Sequence, residues 1–189
     1  MQRTFSMVGS MIGSMIALAA ACLVSACSTP SSKVGRLYAS LQSDVAEHPT
    51  GKGPDLALWE RHQERANEVR EILAEGKLES RTDRFHAAVL LAETRDPECL
   101  ALAEQLGREV GLEGEKLGFR VAAEAIDKQL VLRGLPQRYG TQYEWVFVLQ
   151  AWRLYPIDPA TTDADRRAME VPPLLEVYEG EKRMNRGRS

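Results

Sequence analysis

No Asp, Glu, Lys or Arg occurs between Thr4 and Ser32, and the 189 residues hold only three cysteines and three histidines. The chain also lacks a Walker loop, a His-Glu-x-x-His helix, a Gly-x-Ser-x-Gly elbow and a Cys-x-x-Cys pair. These absences exclude the common phosphate-cradling, zinc-protease, nucleophile-elbow and dithiol chemistries in their usual forms. His48, His62 and His86 lie too far apart in sequence to define a metal site, so neither metal nor cofactor is expected. The formal net charge of −3 shows no basic excess, which argues against a nucleic-acid or anionic-membrane surface.

What is present begins with the uncharged stretch itself. Arg3 precedes an uninterrupted run of apolar and small residues from Met7 to Val24. A transmembrane helix is one reading, since about 20 apolar residues span a bilayer. The end of the run favours another. Leu23-Val24-Ser25-Ala26-Cys27 resembles the lipobox of bacterial lipoproteins, which implies cleavage after Ala26 and diacylglycerol and palmitate on Cys27. Ser28 rather than Asp after the Cys implies sorting to the outer membrane, facing the periplasm. Cys22 would leave with residues 1–26 and Cys27 would carry lipid, leaving Cys99 as the lone thiol and no possible disulfide. Removing Arg3 shifts the net charge from −3 to −4. About 150 remaining residues suffice for one hydrophobic core.

Residues 27–54 read as the lipidated Cys, a flexible Ser/Thr/Pro tether and a short helix with Leu37, Leu41 and Val45 at steps of four. Residues 55–183 read as one α-rich domain. Trp59, His62, Ala66, Val69, Ile72 and Leu73 mark an amphipathic helix stopped at Gly76. Phe85 to Ala92 is apolar except at His86 and is expected to be a buried helix entered at Thr82 or Asp83. Asp96-Pro97 starts a third helix running to Val110, and a fourth extends from about Gly114 to Arg133 before Gly134 and Pro136.

Short loops make antiparallel helical hairpins the expected packing, and no repeat supports a solenoid. Period-two alternation over Tyr143–Leu149, followed by Ala151–Ile157, predicts a short β-hairpin near residues 143–157. Short helices over Asp163–Met169 and Leu174–Arg183 and a loose tail at 184–189 complete a mainly α (α+β), layered domain.

Gln137-Arg138-Tyr139-Gly140-Thr141-Gln142 is the densest polar stretch between apolar elements. Its two amides, phenol and hydroxyl could clasp a polar ligand, or equally cap a helix end and satisfy a turn. With the His86 helix, Asp127-Lys128, Leu154-Tyr155-Pro156-Ile157-Asp158 and Arg166-Arg167, this stretch resembles the bacterial domain of unknown function 6624 across roughly Leu56 to Tyr178. Members commonly carry Asp-Arg where this chain has Asp127-Lys128, and Lys offers no forked guanidinium. The resemblance marks residues and implies no reaction.

Individually, those residues point in different directions. His86 needs a partner for any buried nitrogen, and a structural role is the commoner one for a single buried His. Asp127 falls with Arg120, Glu124 and Lys128 at steps of four, three and one, as on a solvated stripe. Arg166 and Arg167 diverge by about 100° on a helix, so one is expected to pair with Asp158 or Asp163 and the other to face solvent. Trp59, Trp145 and Trp152 could line a saccharide or peptide groove, but indole rings are by default expected in the core. Cys99, in a helix first turn, sits where a thiol pKa is lowered.

Three functions fit. In the first, the domain is an envelope lipoprotein that binds or scaffolds an unknown ligand or protein, through Gln137, Tyr139, Gly140, Thr141, Gln142, Arg166 and Arg167 or through the aromatic hairpin. In the second it is a hydrolase using His86 as base and Asp127 as its orienter. In the third it is an immunity-type inhibitor of an envelope toxin.

Overall fold

The computed structural model describes residues 8–10, 32–47, 55–78 and 80–186. The described residues form seven helices: α1 (Lys33–Glu47), α2 (Leu56–Ala74), α3 (Arg81–Ala92), α4 (Pro97–Leu112), α5 (Leu117–Leu132), α6 (Asp163–Ala168) and α7 (Leu174–Met184). Strands β2 (Gln142–Val146) and β3 (Ala151–Leu154) form an antiparallel hairpin with Trp145 opposite Trp152. A three-residue strand, β1 (Val8–Ser10), pairs antiparallel with β2 and lies inside the stretch read above as a leader. The fold is therefore mainly helical with a small antiparallel sheet, as expected. Cys27 and the tether up to Ser31 lie outside the described residues. Among the described residues no helix is long and apolar enough to cross a membrane.

Helix boundaries follow local chemistry. Asp55, Ser80, Asp96 and Thr162 accept backbone N–H groups at the starts of α2, α3, α4 and α6. Thus α3 starts from Ser80, earlier than Thr82 or Asp83. Gly76 and Gly134 adopt φ of +68° and +72° and end α2 and α5, a conformation costly for residues with a Cβ.

The main core joins α1 to α5 through Leu41, Val69, Leu90, Leu91, Leu100, Val121 and their neighbours. The α4–α5 pair is unusually close: a Cβ on Gly118 would lie 2.4 Å from the Gly107 carbonyl oxygen. A second cluster holds Ala122, Ala123, Tyr139, Met169 and Val171, and a third holds Tyr143, Trp145 and Trp152. The two indoles meet edge-on, with ring centroids 5.3 Å apart. Trp59, in the first turn of α2 and expected in the core, is 41% exposed.

The last elements are shorter or longer than the sequence suggests. The strands stop at Val146 and Leu154, with residues 147–150 forming the turn between them. Asn185 lies in the stretch read above as a tail, of which residues 187–189 are outside the described residues. Asn185 accepts from the Trp152 backbone N–H (2.9 Å) and donates to its carbonyl (2.8 Å), which ties α7 to β3.

Candidate functional site

The polar loop does clasp an anion, and the anion is Asp127. Its carboxylate, at 0% exposure, accepts the backbone N–H groups of Arg138 (2.7 Å), Tyr139 (3.0 and 3.1 Å) and Thr141 (3.0 Å) and the Thr141 hydroxyl (2.9 Å). Successive N–H groups converging on one anion form a nest, here filled by the chain's own side chain. Gly140 makes this turn at φ +85°, with Ile157 and Val177 each 3.0 Å from where a Cβ would sit. Burial pushes the Asp127 pKa up, opposed by hydrogen bonds from Tyr139, Thr141 and Arg138.

Gln137 closes the other side of the loop. Its amide nitrogen donates to the carbonyls of Gln142 and Tyr155, both at 3.0 Å, while its amide oxygen accepts from the Gln142 N–H at 2.8 Å. Its backbone pairs with the chain around Ile157, through Pro156 and Asp158. Gln142 donates to the Glu124 carbonyl on α5 at 3.3 Å. Arg166, 1% exposed, donates to the carbonyls of Thr161 (2.8 Å) and Arg138 (3.3 Å) and pairs with Asp163 at 3.5 Å; Arg167 is exposed. Of the expected ligand-binding residues, Gln137, Tyr139, Gly140, Thr141, Gln142 and Arg166 thus come together with Asp127. They hold one another, and Arg167 stands apart.

The His86–Asp127 pair of the hydrolase reading does not form. His86 is half-buried, and its ring stacks on Tyr38 of α1 with centroids 4.0 Å apart. Its pKa is lowered by burial, with Asp83 as the opposing charge, and its Nδ1 has no hydrogen-bond partner. Every hydrogen bond to Asp127 comes from the loop, so its carboxylate does not orient an imidazole.

The solvated stripe expected on α5 is instead buried. Glu124, Asp127 and Lys128 are 5%, 0% and 1% exposed. Lys128 donates its ammonium to the carbonyl of Ala92, the last residue of α3, where a cation meets the negative end of a helix dipole. Burial lowers its pKa, while Glu93 and Glu124 raise it. Glu124 receives Arg120 on one carboxylate oxygen (3.3 Å), and its other oxygen has no partner. Burial lifts the Glu124 pKa to about 7. His62, on α2, faces the charges of Glu93 and Lys128, and burial lowers its pKa. Sequence reasoning missed this interior charge cluster because a three-and-four charge pattern ordinarily marks a wet face. The signal it overlooked is the small-residue run Ala122-Ala123 and Ala125 beside those charges, which lets neighbouring elements close over them.

Cys99 also departs from expectation. It is fully buried, and burial raises its thiol pKa despite its position in the first turn of α4. Among the described residues no group of His, Cys, Asp and Glu could hold a metal ion.

Opposite in character is the β2–β3 turn. Phe147, Val148 and Leu149 are 57%, 94% and 56% exposed, three consecutive apolar side chains above a base fixed by the paired tryptophans. The chain matches no protein-family model, no curated protein and no solved structure.

Proposed function

We propose that the chain is a lipid-anchored protein of the bacterial envelope, acylated on Cys27, whose folded domain works by binding or scaffolding. It would sit in the outer membrane and face the periplasm. The observation that carries the binding role is the contrast between the loop and the turn. The polar groups most suited to a ligand or a substrate are bonded to one another, whereas Phe147, Val148 and Leu149 are exposed among the described residues. Exposed contiguous apolar side chains are the usual mark of an interaction site. The resemblance to domain of unknown function 6624 belongs to the same proposal, and on this reading its distinctive loop is a framework element.

Two measurements test it. Cells expressing the full chain should incorporate radiolabelled palmitate, and Cys27→Ser should abolish the label and leave residues 1–26 attached. Equal labelling of the variant would overturn the anchor. A photo-crosslinking amino acid at Val148 should give an adduct in the envelope, and one at exposed Arg138 should not. An adduct from position 138 alone would restore the loop as the binding site.

A further inference from the structure

Contacts between the helices place the start of α1 at the same end of the molecule as the start of α5. Ser32, just before α1, donates to Asp83 in the first turn of α3 (2.5 Å), and Arg84 and Arg81 of that turn reach Glu113 at the end of α4. The start of α1, the start of α3 and the α4–α5 junction therefore lie together. Strand β2 runs towards the same end. Residues 138–141 bond to Asp127, Gln142 to the Glu124 carbonyl, and Tyr143 feels the charge of Arg120, a march back along α5 towards its N-terminus. The turn at 147–150 continues in that direction.

Two further leucines stand at this pole, Leu112 at 80% and Leu117 at 39% exposure, flanking the α4–α5 junction. Helix α7 also points there. Val177 lies against Tyr143, Glu181 accepts from Leu154 and Asn185 holds Trp152 nearer the turn. Charges of both signs flank these segments, among them Arg84, which is paired with Glu113.

We infer that this pole docks on the lipid bilayer, with Phe147, Val148 and Leu149 inserted among the acyl chains as a second contact beside the lipid on Cys27. The inference rests on the anchoring reading above. Five residue steps separate Cys27 from Ser32, and an extended chain covers at most about 18 Å over that length, so a lipid on Cys27 holds this pole against the membrane. Apolar side chains at a protruding turn enter the region between headgroups and acyl chains. Three contiguous apolar side chains insert without an anionic headgroup, so apolar insertion supplies attachment to neutral lipid. A protein partner is the alternative occupant, and it would protect position 148 in native envelope membranes only.

The test uses the lipidated protein in phosphatidylcholine vesicles containing spin-labelled lipid, with an environment-sensitive fluorophore on Val148→Cys or, distant from this pole, on Ala101→Cys. The thiol of Cys99 is buried and does not compete for label. Fluorescence from position 148 should shift to the blue and be quenched several-fold more than that from position 101, in neutral vesicles and with little change in high salt. Phe147→Ser combined with Leu149→Ser should remove the difference while leaving the circular dichroism unchanged. Equal quenching at both positions would overturn bilayer docking. So would protection of position 148 in native envelope membranes but not in pure lipid, which would identify a protein partner. Palmitate incorporation reads the anchor separately, so either idea can fail alone.

Discussion

The loop over α5 and the turn of the β-hairpin are separated by only a few residues of β2, yet they solve opposite problems. At the loop, polar groups are drawn inside and matched: Asp127 takes three backbone N–H groups and a hydroxyl, and Gln137 makes three bonds of its own. At the turn, apolar groups are pushed outside and left unmatched. A buried polar group must be hydrogen-bonded or it penalises the fold, whereas an exposed apolar group costs the isolated fold little. The first arrangement therefore serves stability, and the second is free to serve something else.

The sharpest way to break this contrast is Asp127→Ala. It strands three N–H groups in the interior and should destabilise the domain by about 3–5 kcal/mol, read as a lowered denaturant midpoint. A loss typical of a surface substitution would show that the loop does not depend on its anion. Gln137→Ala removes three hydrogen bonds without a buried charge, and a loss of about 2–3 kcal/mol is expected.

Glu124 sharpens the comparison along α5 itself, because this carboxylate, one turn from Asp127, is only half matched. Its folded pKa of about 7 lies above the ordinary value of 4.5, so the folded state binds the proton more tightly. The contribution of Glu124 to stability is therefore full below about pH 4.5 and is lost as pH rises through 7. Glu124→Gln should flatten that part of the stability–pH curve and make the protein more stable than wild type at pH 8, by up to about 3 kcal/mol. An unchanged curve would mean that Glu124 is matched in solution. The smallest effect belongs to the turn: Val148→Asp should alter unfolding free energy by no more than about 0.5 kcal/mol. A large loss there would mean that the tip helps to hold the fold.

Features set by neighbours in sequence could be read without a structure. The Asp96-Pro97 start of α4, the glycine stops at Gly76 and Gly134, the hairpin and the divergence of Arg166 from Arg167 all follow from signals within a few residues. The polar loop was visible too, as a set of groups able to clasp a polar ligand or to satisfy a turn. Its occupant was not, because Asp127 lies 11 to 14 residues earlier and shares its helix with charges spaced as on a wet surface. Likewise, His86 looked interior from its apolar neighbours, but its helix turns that ring towards α1, where Tyr38 stacks on it. Helical periodicity gives a face; which element covers that face is decided by the rest of the chain.

The nest around Asp127 also constrains the order in which the chain can assemble. Helices α1 to α4 contain the partners for much of their own core, but α5 cannot settle with Asp127 inside until residues 138 to 141 have been made and have turned back over it. A nascent chain ending before Gln142 would have to leave the carboxylate wet and α5 displaced. The loop thus acts as a late latch: the helical half of the molecule closes over Asp127 once residues 138–141 have turned back.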